Sequence, residues 1–516
     1  MSDLDEAIEV DRAALLHRPP GHPDRSSSLR NLADSLHDRF LQRGIMSDLD
    51  ESIELHRDAL LLYLPGHSDR SWSLNNFAAS LADRFLQRGI MSDLDESIEL
   101  HQEALLLNPP GHPDRSSSLN NLAASLADRF QQRGIMSDLD EAIELYRDAL
   151  LLLPPGHSDR SKSLNNLAIR LRDRFLQHGV MSDLDEAIEL DRDALLLRPP
   201  GHSDRSLSLN NLALSLRDRF KQRGIMSDLD ESIELHRDAS LLRPPGHSHR
   251  SSSLNNLALR LRDRFQQRGI MSDLDESIEL DRDALLLRPP GHSDRSPSLN
   301  NLAVSLRDRF QQRGIMSDLD ESIELDRDAL LLHPPGHSDR SPSLNNLAVS
   351  LRDRFQQRGI MSDLDEAIEL HRDALFLCPP GHPDRSKSLN NLATNLAYRF
   401  RQRGIMSDLD EAIELHRDSL LLRPPGHSDR PSSLNNLGLS LRDRFKQGGI
   451  MSDLDESIEL HRDALLLCPP GYSNRSKSLN NLVSSLRDRS HHCGVQSDLH
   501  EAFGFGVTCK LRLLPP

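Results

Sequence analysis

The sequence predicts an all-α fold, a right-handed α-solenoid of helical hairpins with a 45-residue period, and three observations carry that prediction. The hexamer MSDLDE begins at Met1, Met46, Met91 and every forty-fifth residue thereafter to Met451, and these account for all eleven methionines. Each interval holds two stretches of helical period separated by proline and glycine, with no alternating run that would mark a strand. Bulky residues are also scarce: 37% hydrophobic and 4% aromatic over 516 residues is too little for one large core. It suffices for a row of small cores shared between neighbouring repeats.

The repeat at 271–315 shows the elements in order; its methionine is taken as position 1. Ser272 followed by Asp275 resembles a capping box, with Asp273, Asp275 and Glu276 at the positive end of a helix. This DLDE helix runs through DLDESIELDRDALLL and stops at Pro289 and Pro290, because a residue before proline avoids the α region. The loop RPPGHSDRS follows. A second helix, SLNNLAVSLRDRF, opens at Ser296, tolerates Pro297 in its first turn and ends at Gly314 as the C′ residue. In one repeat Pro431 replaces the opening serine.

The faces follow from the helical period. Leu299, Leu302, Ala303, Leu306 and Phe310 fall in one band about 100° wide on the SLNNLA helix. The DLDE helix spreads Leu274, Ser277, Ile278, Leu280, Ala284, Leu285 and Leu287 over about half its circumference, as a helix sandwiched between neighbours requires. The array is expected to occupy 1–490 in about eleven repeats. A degenerate partial repeat, broken by Gly504 and Gly506, follows at 491–516.

Composition excludes several function classes. A net charge of −17 offers no basic footprint, so no nucleic-acid partner is expected. Four cysteines make no disulfide framework and point to a reducing, cytoplasmic setting. The start MSDLDEAIEV lacks a signal pattern, and the leucine runs fall far short of the roughly 20 residues a bilayer needs, so no membrane partner is expected. No cofactor is expected, since no glycine-rich phosphate loop is present. The PPGH histidine recurs ten times, with Tyr472 in the eleventh place, but one per repeat lacks the further ligands of a metal site and is expected to bond within its loop. Catalytic residues are not expected either. The DLDE carboxylates read as helix caps, and SHHC at 490–493 with Cys509 lies where the repeat decays.

The text SLNNLA, then DEAIEL, then AL five residues before PPGH resembles the tetratricopeptide repeat, in the long-unit form of kinesin light chains. The resemblance covers about residues 1–490. It makes the SLNNLA helix the first of the hairpin and the DLDE helix the second. Ala303 matches the family's small residue on the first helix, Ala367 and Ala374 its paired alanines on the second, and Pro379 its terminal proline. The common unit is about 34 residues. The excess here falls between Ala303 and Ser322 and between Pro334 and Ala348, so the first helix or its loop is longer by about two turns. Similar near-identical arrays occur in large fungal proteins, beside a caspase-like peptidase or a nucleotide-binding switch domain. Neither domain is visible in this sequence.

One departure concerns position 11, aromatic in the family and here Asp11, His56, His101, Tyr146, Asp191, His236, Asp281, Asp326, His371, His416 and His461. The longer first helix is expected to leave this edge exposed; a buried His/Asp ladder would instead respond to pH.

The positions that vary most on the SLNNLA helix, 27, 34, 37 and 41, fall on one side, outside the packing face. In the resembling family that side lines a groove where asparagines bond a ligand's backbone. The residues expected to line a peptide groove are Asn165, Asn210, Asn255, Asn300 and Asn345, the aliphatics Ile169, Leu214, Leu259, Val304 and Val349, and the guanidinium groups of Arg172, Arg217, Arg262, Arg307 and Arg352. Such a set suits a protein or peptide partner with acidic residues. The leading expectation is therefore a non-enzymatic interaction scaffold. The alternative is a sensor or autoinhibitory arm of a multidomain peptidase or switch protein. The chain also starts on a DLDE helix with no partner helix before it, which suggests a segment of a longer array or end-to-end self-association.

Overall fold

The computed structural model describes residues 3–501 apart from 64, 65, 68, 293, 336, 338, 383, 428, 469–474, 496 and 499. Among them are twenty-two α-helices and no strand, so the architecture is all-α, an α-solenoid of hairpins at a 45-residue period. The chain forms two compact halves, Met1–Arg260 and Leu261–Pro516. No described helix is long and apolar enough to cross a membrane.

In the C-terminal half, the DLDE helix Met271–Leu286 has 16 residues and the SLNNLA helix Arg295–Arg313 has 19. The residues beyond the common repeat length therefore extend the SLNNLA helix, and only Gly314 and Ile315 separate it from the next helix at Met316. Gly314 adopts φ 67° and donates its N–H to the Phe310 carbonyl at 2.7 Å. That left-handed geometry is the reason for glycine there.

The capping box does not form. The DLDE helix starts at Met271, preceded by extended Ile270, and no side chain caps it. Asp273 is buried and instead accepts two bonds from Arg264, Nε to Oδ2 at 2.7 Å and Nη2 to Oδ1 at 3.0 Å. A bidentate guanidinium is a stronger partner than a backbone amide. Asp275 likewise takes Arg313 at 2.9 Å and Arg309 at 3.4 Å. The N-terminal half repeats both arrangements, with Arg129 on Asp138 at 2.6 and 3.0 Å and Arg133 on Asp95 at 3.0 Å. The DLDE carboxylates are interhelical clamps. Ser296 is no cap either: it lies buried inside its helix, so Pro431 in the equivalent first turn removes no cap.

Each phenylalanine closes one small core. Phe310 packs with Leu319 and Ile323 of the next DLDE helix, with Leu347, Ala348 and Leu351 of the following SLNNLA helix, and with Ala367 one repeat further. In the N-terminal half Phe85 plays the same part with Leu94, Ile98, Leu122, Ala123 and Leu126. Consecutive SLNNLA helices also touch directly, as Arg70–Arg88 does Arg115–Arg133 and as Arg295–Arg313 does Arg340–Arg358. Consecutive DLDE helices approach less closely among the described residues, so the SLNNLA helices line the inner side of each half.

Cys378 and Cys468 are buried free thiols and Cys493 is exposed. Tyr472, Gly504, Gly506 and Cys509, with most of the expected partial repeat at 491–516, lie outside the described residues.

Candidate functional site

The asparagine at position 30 sits on the SLNNLA helix where it meets the next repeat, and its amide is used there. Asn165 Nδ2 donates to Ser208 Oγ at 3.0 Å, and Asn345 Nδ2 to Ser388 Oγ at 3.3 Å. The Asn345 Oδ1 lies 3.0 Å from His371 Nδ1. The Asn210 amide lies 3.0 Å from His236 Nδ1; oriented to donate there, it accepts from Arg243 at 3.2 Å. Asn255 is buried and Asn300 half-buried. Asn165, Asn210 and Asn345 are thus engaged between repeats and do not present free amides to a ligand, whereas Asn300 Oδ1 has no hydrogen-bond partner.

The aliphatics Ile169, Leu214 and Leu259 of one half and Val304 and Val349 of the other are half-buried on the inner side, with apolar surface left open. Beside them the arginines at position 37 are paired. Arg172 Nε lies 2.6 Å from Asp218 Oδ2, Arg217 Nη1 3.1 Å from Asp218 Oδ1, Arg262 4.0 Å from Asp308 and Arg352 3.1 Å from Asp353. Arg307 donates to Ser350 Oγ at 3.1 Å. A carboxylate at position 38 thus offsets the guanidinium charge, and the basis for an acidic ligand is lost. The signal was available, since the aspartate adjoins the arginine in every LRDR.

Position 11 is buried, not exposed: His56, His101, Asp191, His236, Asp281, Asp326, His371, His416 and His461 each retain at most 2% of their surface. It is enclosed between Ser at position 35 of its own repeat and Asn at position 30 of the preceding one. Ser215, Ser305 and Ser350 donate to Asp191, Asp281 and Asp326 at 2.9, 2.9 and 2.7 Å. Burial pushes Asp191 and Asp281 up to about 7 and Asp326 up to about 6. It pulls His371 and His416 down to about 3, so these rings are neutral.

Two cavities open on the inner side. In the N-terminal half Ser117, Asn120, Asn121 and Ala124 face Lys162, Ser163 and Asn166 across about 180 Å³. In the C-terminal half a cavity of about 390 Å³ is lined by Asn390, Asn391, Thr394, Tyr398 and Arg401 of helix Arg385–Arg403. Asn436 and Leu439 of helix Arg430–Gly448, Lys477 of the next SLNNLA helix, and Arg352 with Asp353 also line it. His416 lines the same cavity. His101, His236, His371 and His461 meet the preceding asparagine, as His461 meets Asn435 at 3.0 Å, whereas His56 follows Arg30 and neither ring nitrogen has a hydrogen-bond partner. In this cavity Asn390 Oδ1 instead accepts from Asn436 Nδ2 at 3.1 Å, and His416 Nδ1 has no hydrogen-bond partner. Of the predicted groove residues, Arg352 alone lines either of these cavities. The variable positions 27, 34, 37 and 41, with the unvarying asparagine at position 31, line them as a class; sequence alone could not say which repeats would open.

The family model described as tetratricopeptide repeat matches residues 115–159 and 343–384. Both segments are single hairpins, and the same 45-residue repeat extends on either side of each. No curated protein sequence matches the chain. Among solved structures, the human IFIT1 dimer with PPP-AAAA is 13% identical, with 97% of this chain and 95% of that chain covered at a TM-score of 0.47. A Podosopora anserina putative kinesin light chain of nearly identical TPR-like repeats is 20% identical, covering 42% of this chain and 98% of its own at 0.32. BtubC (BKLC) from P. vanneervenii is 19% identical, with 46% and 88% covered at 0.34.

Proposed function

We propose, on the premise that this chain is a tandem array of tetratricopeptide repeats with a 45-residue unit, that it is a non-enzymatic scaffold holding an extended peptide segment of a partner protein against its SLNNLA helices. The observation that carries this reading is the cavity of about 390 Å³ that Asn390, Asn391, Asn436, Tyr398 and Leu439 line along the SLNNLA helices. Asn391 and Thr394 offer backbone partners, and Leu439 and Tyr398 offer a surface for an apolar side chain. Arg401 Nε is 2.7 Å from Asp443 and Arg352 3.1 Å from Asp353, so most of the charge here is offset within the protein, and Lys477 adds a positive charge to the lining. Each compact half presents an inner side of this kind, and the cavity of the C-terminal one has the larger volume of the two.

The test selects short random peptides by display on the intact chain. Recovered peptides are then measured against Asn391→Ala and Leu439→Asp variants whose helicity matches the parent. The reading expects affinity to fall about tenfold or more, the equivalent of about 1.4 kcal/mol. Equal binding by all three proteins, or failure to recover any peptide, sinks it.

A further inference from the structure

The repeats at 271–315 and 316–360 differ at one residue, Arg288 in the first and His333 in the second. We propose that this exchange creates a site for a divalent transition metal of the zinc class, held by His333, His337 and Asp339. One ligating atom from each of these side chains lies within 4.8 Å of the other two, the one such group of three among the described residues. The two rings are stacked, with centroids 4.5 Å apart and planes 18° off parallel.

The repeat before it shows what the exchange does. There Arg288 donates to Ser298 Oγ at 2.8 Å and places a guanidinium nitrogen 3.7 Å from the Asp294 carboxylate. His333 takes the same seat, its Nδ1 2.9 Å from Ser343 Oγ, but brings no fixed positive charge to Asp339. The loop has exchanged a resident cation for a second imidazole while keeping its carboxylate. Two nitrogens and one oxygen, with water in the fourth position, make a zinc-type ligand set. The serine also helps, because a Nδ1–H donated to Ser343 fixes the tautomer and leaves Nε2 as the ring's free lone pair.

Two neighbours bear on the site. His337 Nδ1 accepts the Asp339 amide at 3.1 Å, as His292 Nδ1 accepts that of Asp294, so binding requires that ring to release one loop hydrogen bond. Arg340 carries the nearest guanidinium, and it is engaged on the His333 carbonyl. His333 follows the DLDE helix Met316–Leu331, and Asp339 precedes the SLNNLA helix Arg340–Arg358. The ion would therefore tie the two helices across their loop. One PPGH histidine per repeat is too few ligands for a metal; the variable residue four places before it supplies a second here.

The intact chain is titrated with Co²⁺, whose visible d–d bands report a tetrahedral site, and then challenged with Zn²⁺. His333→Arg is the central control, because it restores the loop sequence of the preceding repeat, which is folded. The proposal expects one equivalent of Co²⁺ with d–d bands displaced by Zn²⁺, loss of those bands in His333→Arg, and affinity at least about tenfold weaker in Asp339→Asn. Absence of the bands in the parent, their persistence in His333→Arg, or unchanged affinity in Asp339→Asn overturns it.

Discussion

Asp191, Asp281 and Asp326 are carboxyl groups enclosed where the fold would accept a hydrocarbon. Each accepts from one serine, while its other oxygen has no partner. Arg172, Arg262 and Arg307 lie near enough to oppose the upward shift, and burial still dominates. A folded-state value of about 6 to 7 against about 3.9 unfolded means the native chain holds more protons between those limits. Their contribution to stability therefore falls as pH rises from about 4 to about 7. The neutral histidines at the same position act oppositely, since acid protonates them only in the unfolded chain. Replacing all three aspartates by asparagine isolates the first effect. The variant is expected to be more stable than the parent at pH 8, by on the order of 1–3 kcal/mol per site, with the gain vanishing near pH 4. Urea unfolding at a series of pH values checks this, and a pH-independent difference would refute it. The residue types at position 11 were plain in the sequence, but their burial was not. It depends on Asn at position 30 of one repeat and Ser at position 35 of the next closing over them, and a helical wheel contains neither.

At the scale of the element, the hairpins are clamped by charge as well as by phenylalanine. Arg309 reaches Asp318 with Nε at 2.7 Å and Nη2 at 3.0 Å, and the carboxylate is nearly covered. Arg309→Ala leaves that carboxylate buried and unpaired, and should destabilise the C-terminal half by about 2–4 kcal/mol. Adding Asp318→Asn should return part of that loss, because the uncompensated charge goes with it. A double-mutant cycle read by denaturant unfolding tests the pair; additive losses would mean it is not coupled. Helix limits, the Gly314 terminus and the phenylalanine cores were all legible, since they follow from local period and backbone sterics. The clamps were misread as caps because Ser272 and Asp275 satisfy a local pattern, whereas Arg264 and Arg309 reach the neighbouring aspartates only after folding.

Across the whole molecule several joints reuse one contact. Asn75 meets Ser118 at 3.1 Å in one half, and Asn345 meets Ser388 at 3.3 Å in the other, by the same bond between the same positions. Excising residues 316–360 would rejoin QQRGI to MSDLDE, set Asn300 against Ser388 and His371, and give Arg309 a new partner in Asp363. In an array governed by nearest neighbours, such a chain loses the His333 loop cluster but keeps the kinds of contact that join one repeat to the next. Its ellipticity per residue is expected to match the parent's, with a melting temperature within a few degrees. A molten or precipitating product would show that repeats are not exchangeable.

A joint that suits every neighbour equally identifies none of them. Hairpins built on the Asn–Ser and Arg–Asp contacts carry no address, and their order is remembered only by the covalent chain running through links as short as Gly314–Ile315. Such a design lengthens readily by duplication. For the same reason, a chain refolding in a crowd meets foreign hairpins that serve as well as its own, and misassembly between copies is the hazard built into its uniformity.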